Sequence, residues 1–480
     1  MKRFLKKFLM SAIISLYSTH IVFAADSLKI NLSDAVGLAL KNNRSIEQAK
    51  DDRESARWNL SAIRRESGPR LSWSSNANKI GGKYYGDRRE RHYFYENIPE
   101  EVLEYNDILL REFPSYQTEF SNTLNLSMPI YSGGRLESQR KAAEYNLSSA
   151  DLILENSRQQ IKFQTTRALY QVLQYQNLMN VRQEEMKNLS EHLETVKIQY
   201  EVGTVAMSDF LATNVQLANS QQNYNSAQIN FENAVATLNN LLGLPVDTNL
   251  IISEKLSYSP FDEDENFCLE YALSHRPDGI AAAYAAKSSE ESINSAKAGT
   301  RPNVSANVNG FFSGEGVFKA DHDRERWSAG LQISWNIFDN NVTSAQIHQA
   351  KSAQKKAESQ AQEQLETIRL EVHNAYTSLR ISEKNVKLSE EAIKQAQEQY
   401  LISKIRYEEG VDTNLNVMTS QEKLTQAQTN YFSALYTYNT SRAQLEKAMG
   451  IPIKIDAEIY RKAIDEGKNS RRALEIAAVK

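Results

Sequence analysis

The chain of 480 residues repeats itself, and this duplication constrains its fold more than any other feature. A shift of 207 positions places Tyr200 on Tyr407, Gly203 on Gly410 and Pro245 on Pro452 without a gap. Upstream the shift is 233 positions, because the first copy carries an insertion of 26 residues. Repetition over such a length predicts two copies of one structural unit, over 25–245 and 246–452, followed by a tail over 453–480.

Both repeats predict the same order of elements. A helical segment comes first, from Ser33 to about Arg65 or from Phe267 to about Lys297, and it ends at a Gly/Pro sequence. Two strands and a helical hairpin follow. The predicted strands cover about 71–79, 120–130, 303–312 and 327–337, and the predicted hairpins cover 135–242 and 343–449. The longer helix of each hairpin would be about 100 Å long.

Apolar residues recur every seven positions along these long helices, as in a coiled coil. The predicted seams contain Met179, Met186, Leu189, Leu193, Val196 and Tyr200 in one helix, and Val386, Ile393, Ala396, Tyr400, Ser403 and Tyr407 in the other. Gly203 and Gly410 interrupt the two patterns. Glycine tolerates the left-handed conformation that ends a helix and lets the chain reverse, so each hairpin is predicted to turn there.

The strand-like runs alternate between apolar and polar residues. Over 327–337, Trp327, Leu331 and Trp335 share one face, and Ser328 and Gln332 share the other. Runs of this length with aromatic ends are typical of transmembrane β-strands, although a half-buried sheet of a soluble domain is the alternative. Four strands cannot close a barrel, and a conducting pore needs more than about eight. Three subunits would supply twelve strands, so the strand number predicts a trimer.

Other features narrow the class of protein. Residues 1–24 predict a cleaved signal peptide, with Lys2 and Arg3 ahead of an apolar stretch and Ala24 at its end. No later run of 18 apolar residues predicts a transmembrane helix. A net charge of −4 does not indicate nucleic acid as a partner. Cys268 is the one cysteine, which excludes an internal disulfide and predicts a small buried apolar residue.

Neither a metal site nor a cofactor is predicted. Asp321, His322 and Asp323 form a weak metal-ligating motif that is common by chance. The segment 79–119, which contains the insertion, is predicted as a long extracellular loop. The sequence contains no HExxH, GxSxG, P-loop, CxxC or dinucleotide-binding motif, and six of its histidines are scattered, so we do not expect an enzyme.

Together these features resemble the TolC-type outer membrane efflux proteins. The most specific similarities are Tyr-x-Val-Gly-Thr at 200–204, its echo at 407–410, and the strand-to-helix junction at 128–135. The resemblance implies a mixed α and β fold, mainly long α-helices. Four transmembrane β-strands per subunit would complete a twelve-stranded barrel in a homotrimer, continuous with a periplasmic α-helical barrel. The tail 453–480 would lie in the periplasm.

The family is one of passive exit ducts, for efflux of small molecules or for type I protein secretion. The resemblance implies that the duct docks a periplasmic adaptor protein and an inner-membrane transporter through its hairpin tips. The positions that correspond to this docking site are Tyr200, Val202, Gly203, Thr204, Tyr407, Gly410 and Val411. A soluble periplasmic coiled-coil protein, structural or adaptor-like, is the alternative. A detergent-extracted trimer from the outer membrane would exclude it.

Gating residues are implied by the same resemblance. Tyr407 and Asp209 occupy the places of a tyrosine–aspartate bond that closes the family's periplasmic mouth. Ser208 keeps the hydroxyl of a second link, but Asp412 replaces its arginine. Asn416 and Thr419 stand where the family has an acidic ring. If the first bond is formed, Tyr407→Phe or Asp209→Ala is expected to raise the conductance of the resting channel.

Overall fold

The computed structural model describes residues 28–81, 116–314 and 325–452. The predicted signal peptide, nearly all of the 79–119 loop, the Asp321–Asp323 motif and the tail 453–480 lie outside the described residues. The described chain divides into two compact units. Unit 1 takes residues 28–51, 152–280 and 363–452, and unit 2 takes the rest. Each unit therefore contains residues of both sequence repeats.

The two repeats contain the same series of elements. The first consists of β1 (Leu28–Ile30), α1 (Leu32–Asn42), α2 (Arg44–Glu66), β2 (Arg70–Gly81), β3 (Tyr116–Tyr131), α3 (Arg135–Glu201) and α4 (Met207–Leu242). The second consists of β4 (Leu250–Ile252), α5 (Glu265–His275), α6 (Pro277–Lys297), β5 (Asn303–Gly314), β6 (Arg326–Ser334), α7 (Val342–Glu408) and α8 (Asn414–Met449). None of the described helices is long and apolar enough to cross a membrane.

The first helical segment of each repeat is two helices, where the sequence predicted one. Asn43 separates α1 from α2 with extended backbone, at φ −72° and ψ 128°. Arg276 separates α5 from α6 in the same way, at φ −67° and ψ 124°. Pro277 disfavours the helical conformation of the residue before it, and the Asn43 side chain accepts a hydrogen bond from the backbone N–H of Ser45. Different residues thus break the helix at equivalent positions.

Unit 2 contains an antiparallel sheet of four strands in the order β2-β3-β5-β6. The central pair β3–β5 joins the two repeats, with a bulge near Pro129. Strand β6 ends three residues before the predicted limit because Ser334 faces Asn303, the first residue of β5. Strand β3 begins at Tyr116, four residues before the predicted start, because β2 extends to face it.

The two faces of this sheet differ in chemistry. One face exposes large apolar side chains, and Trp327 is 80% exposed. Others on the same sheet are Leu71, Trp73, Leu124, Leu126, Met128, Ile130, Leu331 and Ile333. Polar side chains are joined across the strands, where Asn125 donates to Asn309 at 2.7 Å and Asn307 donates to Gln332 at 3.3 Å. The predicted alternation of apolar and polar residues is present.

Two large apolar clusters lie among the described residues of unit 1, each formed mainly by one repeat. Leu169 on α3 and Leu238 on α4 lie in the first cluster, and Ile368 on α7 and Leu445 on α8 lie in the second. Cys268 is buried in the second cluster as predicted, and burial raises the pKa of its thiol to about 11. A short parallel pair between β1 and β4 connects the beginnings of the two repeats.

The coiled-coil seam differs from the prediction in α3. Leu189 and Val196 are buried as predicted, whereas Met186 and Leu193 are only half-buried. The buried heptad positions beside Leu189 and Val196 belong to polar residues, Glu185 and His192. In α7 the predicted residues Val386, Ser403 and Tyr407 are buried. In one of the two rows of seam residues on α3, the buried positions therefore lie one residue earlier in the sequence than predicted.

Two glycines with left-handed backbone follow helices in different surroundings, one packed against a neighbour and one in open space. Gly450 follows α8 at φ +72°, and a Cβ there would lie 2.8 Å from Arg276 Cγ. Gly203 has φ +80° and open space around it. We expect Gly203→Ala to cost about 1 kcal/mol of stability through backbone strain alone. Gly450→Ala should cost about 3 kcal/mol, because overpacking adds to the strain.

Thermal unfolding of the two variants in detergent, followed by circular dichroism, measures this difference. Equal destabilisation would contradict the role of Arg276 in fixing the end of α8.

Candidate functional site

The first hairpin turns through a Schellman motif at the end of α3. Gly203 takes a left-handed conformation and its N–H donates to the carbonyl of Tyr200 at 3.0 Å. The N–H of Thr204 donates to the carbonyl of Gln199 at 2.9 Å, and the Thr204 hydroxyl donates to the same oxygen. These bonds satisfy the last carbonyls of the helix. They leave Val202 at the turn with 68% of its surface exposed.

The second hairpin repeats this turn at the end of α7. Gly410 is left-handed and its N–H donates to the carbonyl of Tyr407 at 3.0 Å. The N–H of Val411 donates to the carbonyl of Arg406 at 2.9 Å. Thr413 caps α8, since its side chain accepts from the N–H of Asn416. Val411 is 64% exposed, so each tip presents a valine to solvent.

Asp412 is held within its own turn. Its carboxylate accepts from the N–H of Thr413 at 2.8 Å and from Nδ2 of Asn416 at 2.6 Å. Arg406 lies 3.7 Å away as an ion-pair partner. The hydrogen bond from Asn416 is the main reason that the pKa of Asp412 is lowered. The structure therefore joins two of the candidate gating residues, Asp412 and Asn416, whereas Ser208 is exposed and Thr419 is half-buried.

Tyr407 and Asp209 lie near each other without the expected hydrogen bond. Tyr407 is buried in an apolar cluster with Val196 and Val417, against which Phe210 packs. Among the described residues its hydroxyl has no hydrogen-bond partner. Burial raises the pKa of Tyr407, and the negative charge of Asp209 raises it further. The expected tyrosine–aspartate bond is therefore not formed in this packing.

A buried polar cluster at the tips was missed by the sequence analysis. His192 Nε2 lies 2.7 Å from Oδ1 of Asn414, so α3 is bonded to α8. Nδ2 of Asn414 donates to the Thr213 hydroxyl at 3.0 Å and to the carbonyl of Asp209 at 3.2 Å. The His192 ring also contacts the Tyr407 ring, with centroids 5.0 Å apart. The signal in the sequence was the position of His192, three residues after Leu189 and four before Val196, which places it on the buried seam of α3.

A second polar contact lies further along the same two helices. Asn188 on α3 donates to Gln421 on α8 at 3.1 Å, and Gln421 donates to Thr425 at 3.2 Å. Gln421 and Thr425 are buried. Polar residues at buried coiled-coil positions specify register at a cost in stability. The region that the structure describes contains no cluster of three or more metal-ligating side chains.

The unpaired hydroxyl of Tyr407 changes the expected result for Tyr407→Phe. Removing a buried hydroxyl without a partner should leave packing of the tips unchanged or slightly more stable. Asn414→Ala instead leaves Nε2 of His192 without its partner, at a cost of about 1–3 kcal/mol, whereas the Thr213 hydroxyl still donates to the carbonyl of Asp209.

Amide hydrogen exchange around 189–196 measures the local opening free energy of both variants. Faster exchange in Tyr407→Phe than in Asn414→Ala would show that the hydroxyl has a partner after all.

Comparisons with known proteins cover both repeats. AprF, the alkaline protease secretion protein of Pseudomonas aeruginosa, is 21% identical over 464 residues, covering 94% of this chain and 91% of AprF. The outer membrane protein TolC of Escherichia coli is 32% identical over 142 residues, covering 26% of this chain and 29% of TolC. The CmeC outer membrane channel of Campylobacter jejuni has a TM-score of 0.73 at 19% identity, covering 92% of this chain and 89% of CmeC.

The likeness to CmeC confirms the predicted mixed α and β fold of mainly long helices, and the relatives confirm the predicted location in the outer membrane. The family model described as "Outer membrane efflux protein" matches residues 35–244 and 268–451. Those two matches begin and end within the two repeats and together cover most of the chain. This protein therefore belongs to the outer membrane efflux protein family, of the TolC type.

Proposed function

We propose that the chain is a subunit of a homotrimeric channel-tunnel in the outer membrane. It serves as a passive exit duct, for efflux of small molecules or for type I protein secretion. The observation that carries the proposal is the sheet of unit 2, which has a lipid-compatible face and two edges that are unpaired among the described strands. No catalytic residue, cofactor or metal is part of the proposal, since AprF, TolC and CmeC are described as secretion, outer membrane or channel proteins.

The sheet supports self-assembly because it is incomplete. Strands β2 and β6 are its edges, each paired on one side only within the described sheet. Unpaired backbone groups are not tolerated in lipid, so β6 of one subunit would pair with β2 of the next. Three copies supply twelve strands, enough to enclose a channel. In the alternative of a soluble periplasmic protein, Trp327, Leu331 and Ile333 would face water, which disfavours it.

The helices of unit 1 support the same assembly. Leu211, Val215 and Ile229 are exposed on α4, and separations of four residues and of two heptads place them on one face of the helix. A second exposed stripe on α7 contains Ile381, Leu388 and Ile402 at heptad spacing, away from the buried seam of that helix. Two different apolar stripes on one chain are suited to head-to-tail pairing between copies, which closes into a ring. We infer that α4 of one subunit packs on α7 of its neighbour.

The tips supply the partner surface in this proposal. Their exposed apolar residues, Val202 and Val411, lie at turns whose backbone bonds are already satisfied. Apolar side chains at such exposed turns favour a buried contact with a partner. We propose that the periplasmic adaptor protein of an export system docks here and connects the duct to an inner-membrane transporter.

Assembly through the α7 stripe is tested by Leu388→Glu. Leu388 is 70% exposed in the single chain, so the charge should not disturb the fold of the subunit. It should block the trimer, because a charge would be buried between subunits. The control is Gln397→Glu, an exposed position of α7 outside the stripe. Mass measurement by light scattering in detergent should give a monomer for the first and a trimer for the second. A trimer of Leu388→Glu would refute this interface.

Docking at the tips is tested by the double variant Val202→Asp and Val411→Asp. It should form trimers with normal resting conductance in planar bilayers, yet lose export in cells, since the charged tips no longer bury against an adaptor. Removal of 200–209 or 407–416 should likewise leave trimers and abolish export.

The matched control is the double variant Ser190→Asp and Gln397→Asp, which places the same charges at exposed positions of α3 and α7 outside the turns, and we expect it to export normally. Normal export by the double aspartate variant would mean that the tips are turns without a docking role.

A further inference from the structure

His192 is a buried titratable residue at the point where three helices meet. It belongs to α3, its ring lies against Tyr407 of α7, and it is bonded to Asn414 of α8. Only 5% of its surface is exposed. A buried histidine is often only a packed polar residue. Three further features of His192 point to a response to protons: its tautomer, the charges around it and an unsatisfied hydroxyl beside it.

The tautomer of His192 is determined by its neighbours. Asn414 uses Nδ2 to donate to Thr213 and to the carbonyl of Asp209, so its Oδ1 is the atom that faces His192. An oxygen accepts, and Nε2 of His192 therefore carries the hydrogen. The free lone pair is on Nδ1. Among the described residues, no acceptor is recorded for a proton added at Nδ1.

The charged groups around His192 do not offset the positive charge that a second ring proton would bring. On α7, Lys404 opposes the positive charge of His192 and Glu408 favours it. Glu191, the neighbour of His192 on α3, is already shared by Lys187 and Lys404 as ion-pair partner. Asp209 of α4 lies close to Tyr407, and Asn414 of α8 is neutral. Burial is the main reason that the pKa of His192 is lowered. The hydrogen bond to Asn414 raises this pKa in part, and Lys404 lowers it further.

The packing around His192 already contains an unsatisfied group. The hydroxyl of Tyr407 is buried without a hydrogen-bond partner among the described residues. Separation of the helices at the tips would give water access both to this hydroxyl and to the His192 ring. The closed packing thus depends on a neutral His192, and a protonated one favours separation.

We propose that His192 is a proton-sensitive residue of the hairpin tips, whose protonation at Nδ1 separates α3 from α7 and α8 and opens the periplasmic mouth. This proposal rests on the proposed channel function. Because the neutral form is favoured in the packed state, the stabilisation is present above the ordinary histidine pKa of about 6.5. It is lost as the pH falls below about 6.5, by up to about tenfold in the packing equilibrium per pH unit.

His192→Gln separates protonation from hydrogen bonding. A glutamine amide can donate to Asn414 as Nε2 does, but it does not titrate. The matched control is His373→Gln, because His373 is an exposed histidine of α7 that pairs with Glu265 at 2.7 Å. Amide hydrogen exchange at 186–200 and 410–421 is measured on the full chain in detergent, from about pH 7.5 to about pH 5. Single-channel conductance is recorded in planar bilayers over the same range.

We expect exchange at both segments to accelerate on acidification, after correction for intrinsic rates, in the unmodified chain and in His373→Gln but not in His192→Gln. Conductance should rise in the same two proteins. A wild-type pH profile in His192→Gln would overturn the proposal. If the exchange results hold but no variant conducts at any pH, the proposed channel function fails while the proton response of the tips stands.

Discussion

Backbone groups at the edges of a sheet cannot remain unpaired in lipid, and this constraint governs what the chain can be. Among the described strands, the order β2-β3-β5-β6 leaves two such edges, and the sheet presents a face of exposed apolar side chains. Neighbouring copies of the same chain can satisfy these edges, one copy at each side of the sheet. The exposed stripes on α4 and α7 have the same property, since each is apolar and lacks a partner within the described chain. Both units of the subunit therefore carry surfaces that a single copy of the chain leaves exposed.

Duplication repeats the backbone of the tips but not their chemistry. Gly203 and Gly410 make the same left-handed turn with the same two backbone hydrogen bonds. Thr204 in the first tip is replaced by Val411 in the second, where Asp412 then bonds to Asn416. Backbone geometry requires glycine at one position only, so the neighbouring side chains were free to diverge. A partner that recognises both tips meets two surfaces of equal shape and different charge.

Polar residues occupy the buried seam where apolar ones would give more stability. His192 and Asn414 fix α3 against α8, and Asn188 and Gln421 do so again further along. Each pair is satisfied only in one register, which gives specificity to helices that are otherwise similar. The same cluster places a titratable ring beside an unsatisfied tyrosine hydroxyl. The polar cluster that specifies the register of the helices is therefore also a place where their packing has only a small margin of stability.

Local patterns in the sequence were sufficient for features that depend on local forces. The 207-residue shift indicated the duplication, the alternation indicated the strands, and the glycines indicated the turns, because periodicity and backbone conformation are properties of neighbouring residues. Tertiary structure alone decided which side chains meet. Tyr407 is enclosed by apolar residues and does not bond to Asp209, and His192 meets Asn414, 222 positions away in the chain. Such contacts depend on how the helices pack, which no local pattern of one chain specifies.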